Sequence, residues 1–148
     1  MKFDITDKKI LNALLQNANS SYRTIAKQAG VSLGTVMNRM HKLRDEGIIK
    51  KSTVLLDYEK LGYTLGVLID VRVGHGKLFE VERTISRNPY VFFVYDTTGD
   101  FDVSVVAKFP STKQLDIFVK YIQKMEFVER VHTKLILNVV KEEPPLLR

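Results

Sequence analysis

Four polar side chains in one short stretch, Thr35, Asn38, Arg39 and Lys42, have the types and spacing to read a nucleic acid. Asn sets a donor beside an acceptor and matches adenine, the Arg fork matches guanine, and Lys is a point charge suited to phosphate. Val36, Met40 and Leu43, at i, i+4 and i+7, form the apolar stripe of the same helix, and the four polar residues are expected to face away from it. Arg39 has a second use, packing its stem against the first helix. Ser32, just ahead, caps the helix and joins the same surface. Tyr22, Arg23 and Lys27 are candidates for the sugar–phosphate backbone, as are Lys50 and Lys51.

The elements that must position these residues are local. Tyr22 to Ala29 is expected to be a short helix capped by Ser21 or Ser20, burying Ile25, Ala26 and Ala29. Gly30 supplies the backbone freedom of a sharp turn, and a second helix runs over 33–46. Two short helices about such a turn are the form of a helix-turn-helix, which sets its second helix in the major groove. An earlier helix starts at Asp4, with Asp7 as its capping-box partner, and carries Ile10, Leu11, Leu14 and Leu15 before ending over Asn17–Ser20. Gly47 stops the third helix. Ile48 to Leu56, rich in β-branched and apolar residues, reads as a strand.

Charge supports a polyanion partner. The chain holds 23 Lys+Arg and 17 Asp+Glu, a net of +6. Residues 1–52 hold 10 basic and 4 acidic side chains, and residues 53–148 hold 13 of each, so the whole excess lies on the helix-turn-helix segment. Phosphate neutralisation with release of counterions makes such a segment a DNA-binding candidate. Catalytic chemistry finds little support. His41, His75 and His132 lie on different elements without carboxylates at ligand spacing, and there is no phosphate loop or nucleophile elbow. No enzyme activity, cofactor or metal site is expected. With no cysteine, no apolar run near 20 residues and no apolar leader after Met1, the sequence reads as a cytoplasmic protein without a membrane span.

The second half repeats a pattern. Leu65 to Val73 alternates, residues 77–88 place Leu78, Val81 and Ile85 on one helical face, and a strand from Tyr90 to Thr97 follows. Phe101 to Phe109 alternates again. Ser111, with Gln114 as box partner, caps a helix lined by Leu115, Phe118, Val119, Ile122 and Met125, and Val131 to Val139 alternates last. The order βαββαβ is the ferredoxin-like motif, with both helices on one sheet face. The other face is expected to carry Leu68, Val94, Val106 and Ile136, an apolar surface suited to self-association. The expected class is α+β, an N-terminal winged helix-turn-helix plus a ferredoxin-like domain. Its parts are residues 1–52, a strand linker over 53–62, the sheet domain over 63–142 and an irregular tail over 143–148.

Three patterns together resemble the Lrp/AsnC family of leucine-responsive, feast/famine transcription regulators. They are Asp4-x-x-Asp7-x-x-Ile10-Leu11-x-x-Leu14, the run Ile25-Ala26…Gly30-Val31-Ser32…Val36…Arg39-Met40…Leu43…Gly47-Ile48-Ile49, and Gly99-Asp100-Phe101-Asp102. The resemblance covers roughly Asp4 to Lys141. It implies homodimers, assembled further into tetramers or octamers, and an amino acid or related metabolite bound between dimers. Gly99-Asp100 alone is ordinary turn chemistry. The resemblance makes Gly99, Asp100, Phe101 and Asp102 an effector loop, with Asp100 or Asp102 accepting an ammonium group, and His75 and Thr133 near the same pocket. Gly34, on the leading turn of the recognition helix, departs from it by offering no side chain. The expected function is a sequence-specific regulator on double-stranded DNA. The alternatives are an architectural, chromatin-like DNA wrapper and an enzyme or metabolite-binding module built on the sheet domain, with the basic half incidental.

Overall fold

The computed structural model describes residues 3–148, which divide into two compact units. One comprises the N-terminal residues up to Leu55 together with Lys141–Arg148, and the other is Leu56–Val140.

The first unit, the head, holds α1 (Ile5–Gln16), α2 (Tyr22–Ala29) and α3 (Leu33–Asp45). Each helix starts where a short polar side chain satisfies free amides. The Asp4 carboxylate accepts from the amides of Thr6 and Asp7, and the Asp7 carboxylate accepts from the Asp4 amide, closing the expected capping box. Ser21, rather than Ser20, caps α2, and Ser32 caps α3. Gly30 ends α2 at φ +71, a left-handed conformation that L side chains avoid. Ile10, Ala13, Ile25, Ala26, Ala29, Val36, Met40 and Leu43 form one core, matching the apolar spacing.

Two expectations for this unit are corrected. The stretch 48–56 forms no strand. Val54 and Leu55 are 70% and 66% exposed, and the segment joins no strand ladder, which strand composition alone does not supply. The irregular residues 141–148 are part of the head. The Asn12 side-chain amide both accepts from the Leu147 amide (2.7 Å) and donates to the Leu147 carbonyl (3.0 Å).

The second unit is a four-stranded antiparallel sheet in the order β2-β3-β1-β4. Its strands are β1 (Leu65–Val73), β2 (Val91–Asp96), β3 (Val103–Phe109) and β4 (Val128–Leu135). Helices α4 (Leu78–Ile85) and α5 (Thr112–Gln123) follow β1 and β3, which gives the βαββαβ order. Val67, Ile69 and Val71 pair with Ala107, Val105 and Val103, and these six pack with Val81, Ile85, Phe118 and Ile122. Alternation is period 2, so the opposite face carries Leu68, Val106 and the cross-strand neighbours of both.

Val94 is not on that open face. It pairs with Val105 and packs into the core, because a bulge between Val91 and Phe93 shifts the register of β2. Phe93 and Tyr95 take the open positions, half exposed, with their rings 6.0 Å apart. Helix α4 stops at Ile85, short of Asn88-Pro89. Strand β4 begins at Val128 and ends at Leu135, leaving Leu137 and Val139 exposed beyond the last β1 partner.

Candidate nucleic-acid interface and effector region

The outward face of α3 follows from its core stripe. With Val36, Met40 and Leu43 inward, residues at i, i+4, i+7 and i+11 from Gly34 point away, namely Gly34, Asn38, His41 and Asp45, all exposed. Lys42 and Met37 flank them and are exposed too. Asn38 and Lys42 thus stand where the sequence places them. His41 belongs to this surface and was missed, although the spacing from Asn38 could have found it.

Thr35 and Ser32 are engaged with each other. The Ser32 Oγ accepts from the Thr35 amide (3.1 Å), and the two hydroxyls lie 2.9 Å apart. Each retains further hydrogen-bonding capacity, since a hydroxyl is both donor and acceptor. Ser21 and Thr24 repeat the arrangement at the start of α2.

Arg39 does not face away from the core. Its Nη1 lies 2.9 Å from an Asp4 carboxylate oxygen and 3.2 Å from Asp7 Oδ2, and the Asp7 side chain is fully buried. Asp7 is the only buried charged residue among those described. On the helical wheel Arg39 is three residues after Val36 and four before Leu43, which puts it at the edge of the stripe. Its guanidinium holds α3 to the first turn of α1. The Asp4 carboxyl sits below the usual carboxylate range, chiefly through the hydrogen bond from the Asp7 amide, aided by Thr6 and Arg39 and opposed by desolvation. The second use considered for Arg39, contact with the first helix, is the one observed, though through its charge.

Tyr22 is half-buried against the head core, and its hydroxyl accepts from Arg44 Nη1 (3.1 Å). Arg23, Lys27, Lys50 and Lys51 are exposed. A positive surface therefore brackets the outward face of α3, while one of its arginines is spent internally.

In the sheet unit, Gly99 (φ +117) turns the hairpin between β2 and β3. Asp102 is committed to the fold. Its carboxylate accepts from the Val73 amide (2.8 Å) and lies 3.7 Å from Arg72 Nε, while its own amide bonds the Val71 carbonyl. Arg72 also donates to the Asp100 carbonyl (2.9 Å), so the loop is pinned to the end of β1. The Asp100 side chain is exposed. The Phe101 ring lies 6.0 Å from His132, with Arg130 stacked over it at 5.5 Å.

The structure thus gathers Phe101, Asp102, Arg72, Arg130 and His132. The last three were not anticipated, because their contact with the loop crosses strands. Thr133 does not join them. It pairs with Ile69 and shares the helix-covered face, one residue out of phase with His132. His75 is exposed at φ +59 on the loop after β1. On the open face, burial pushes the Asp70 carboxyl up, but Lys134 (2.6 Å) and the Ser104 hydroxyl (2.8 Å) outweigh it and hold the group below its ordinary range.

Among the described residues no cluster of His, Asp or Glu could hold a metal ion, and no helix is long and apolar enough to cross a membrane.

Residues 66–146 match the family model described as the Lrp/AsnC ligand binding domain, and residues 3–50 match a winged helix-turn-helix DNA-binding model. An HTH-type transcriptional regulator of Pyrococcus furiosus is 43% identical over 143 residues, covering 97% of each chain. The solved structure of E. coli AsnC superposes with a TM-score of 0.90 at 25% identity, covering 99% of this chain and 100% of that one. A Neisseria meningitidis transcriptional regulator, solved as an L-Met complex, also superposes at 0.90, with 23% identity and coverage of 99% and 97%.

Proposed function

We infer the function from one premise: the chain belongs to the Lrp/AsnC family of HTH-type transcriptional regulators. It is a transcriptional regulator and not an enzyme. Beyond that, we propose that it binds specific sites on double-stranded DNA, with α3 in the major groove and two heads of a homo-oligomer on neighbouring half-sites. The observation that carries this reading is the outward face of α3 on a head whose sequence holds the entire +6 excess. Asn38 reads a base edge, with His41 beside it. Lys42, Arg23 and Lys27 meet phosphates, and Arg39 holds the recognition helix in place. Ser32, Thr35 and Tyr22 line the approach.

We propose an amino acid as the effector, taken at the Gly99–Asp102 loop. Three observations support it: the matched domain is described as ligand binding, a structural neighbour was solved with L-Met, and the loop is braced by Arg72 and Arg130. Asp102 is occupied by Val73 and Arg72, so the exposed Asp100 is the carboxylate free to meet an ammonium group. The ligand shifts DNA affinity only to the extent that it binds one assembly better than another.

Footprinting against excess competitor DNA, repeated over a salt series with and without a panel of amino acids, tests the reading. A discrete protected site is expected. Asn38→Ala should relax discrimination at one base pair by about 1–3 kcal/mol. Lys42→Ala should weaken binding evenly and flatten the salt slope by about one unit. Uniform coverage of any duplex would instead indicate an architectural wrapper, and wild-type affinity in both variants would remove the site assignment. An unchanged footprint with every amino acid would remove the effector.

A further inference from the structure

Asn12 treats one residue of the chain's own C-terminal segment as a strand edge would. Its Oδ1 takes the Leu147 amide and its Nδ2 gives to the Leu147 carbonyl, across a sequence separation of 135. Only a primary amide offers a donor and an acceptor in this arrangement, so the pair recognises backbone and fixes its direction. Within the segment, Leu146 and Leu147 are 47% and 38% exposed where the chain meets α1. Glu143 and Pro144 border an open groove of about 770 Å³ that Leu11, Leu15, Arg44 and Ile48 also line. Pro144-Pro145 presets two φ angles, which lowers the entropy lost on seating.

The connectivity gives this contact a consequence. The chain passes between the two units twice, after Leu55 and again after Val140. The second passage leaves from β4, the strand that carries Arg130 and His132 against the Phe101 ring. We propose that residues 141–148 are a strap seated on α1 of the same chain through Asn12, holding the DNA-binding head at a second point and tying it to the strand that braces the effector loop. The DNA-binding arm of the test rests on the function proposed above, and the exchange arm does not.

The test uses the full chain, its Asn12→Ala variant, and the chain without residues 141–148. In the parent, the Leu147 amide should be protected from hydrogen exchange, and Asn12→Ala should speed that exchange about tenfold or more. Both altered chains should bind DNA carrying two half-sites about 3–10-fold more weakly, because a head on one tether presents its partner at a lower effective concentration. Affinity for a single half-site should not change. An unprotected Leu147 amide in the parent, or equal exchange in parent and Asn12→Ala, overturns the strap. So does an unaltered ratio of two-site to one-site affinity. Broadening of α1 resonances in isotope-labelled chains mixed with chains spin-labelled at position 148 would seat the segment on a second copy, and would equally overturn it. If the parent binds no duplex, the DNA reading fails while the exchange result still decides the strap.

Discussion

Replacing Arg39 by methionine keeps much of the side-chain stem and removes the guanidinium that lies 2.9 Å from Asp4 and 3.2 Å from Asp7. The Asp7 carboxylate has no exposed surface, so it would be left charged and buried, with the Asp4 amide as its remaining hydrogen-bond donor. Removing one partner of a fully buried pair costs roughly 3–5 kcal/mol. Arg39 is 29% exposed and Asp7 keeps the Asp4 amide, so a discounted loss of about 2–3 kcal/mol is the expectation here. For a unit of this size that lowers the midpoint of the head's thermal transition by roughly 10–20 °C. Differential scanning calorimetry of the full chain reads it, with Asn38→Ala as the exposed control that leaves the transition in place. Asp7→Asn combined with Arg39→Met should recover much of the loss, since the amide still accepts from Asp4 and no charge is stranded. A shift under about 2 °C in Arg39→Met, with DNA binding abolished, would refute the reasoning and return Arg39 to the list of base readers.

Three further outcomes follow from the geometry. Gly30→Ala meets no atom within 4 Å of the added Cβ but must hold φ +71, so it should cost about 1–2 kcal/mol of head stability. Gly34→Ala, on the first turn of α3 with only Ser32 Oγ near the new Cβ, should gain about 0.5–1 kcal/mol, and opposite shifts in urea midpoint check the pair. For Asp70 the folded value lies below 3.8, so its contribution is present above about pH 4 and is lost as pH falls through the folded value. Asp70→Asn should therefore lower the sheet unit's stability by about 1–2 kcal/mol at pH 6, a gap that narrows in thermal melts as pH falls through the folded value.

Legibility in the sequence tracked the range of each interaction. Asp4, Ser21, Ser32 and Gly30 act within four residues, and all of them, with the stripe Val36, Met40 and Leu43, could be read from spacing. The strands of the sheet unit were legible because their alternation is local, but a single bulge moved Val94 to the core face. Ile48–Leu56 has strand composition and no strand, since composition cannot supply a partner backbone. Arg39 misled because its partners lie 32 and 35 positions away, across the head. Arg72, Arg130 and His132 were hidden for the same reason, Arg72 meeting the hairpin only once β1 lies beside β3, and Arg130 and His132 only once β4 lies beside β1. Asn12 gave no signal at all, because a side chain that binds backbone leaves no complementary residue type to find.

The head is assembled from segments on both sides of the sheet unit in the chain, and this sets a schedule for its making. Domains close as they leave the ribosome, at about 5–20 residues per second. Residues 56–140 separate the three helices from the segment that Asn12 holds, so at those speeds the helices wait roughly 4–17 s for their last piece. Throughout that interval the flank of α1 lies bare while the sheet unit is still emerging, and the head is finished only after the sheet unit has left the ribosome.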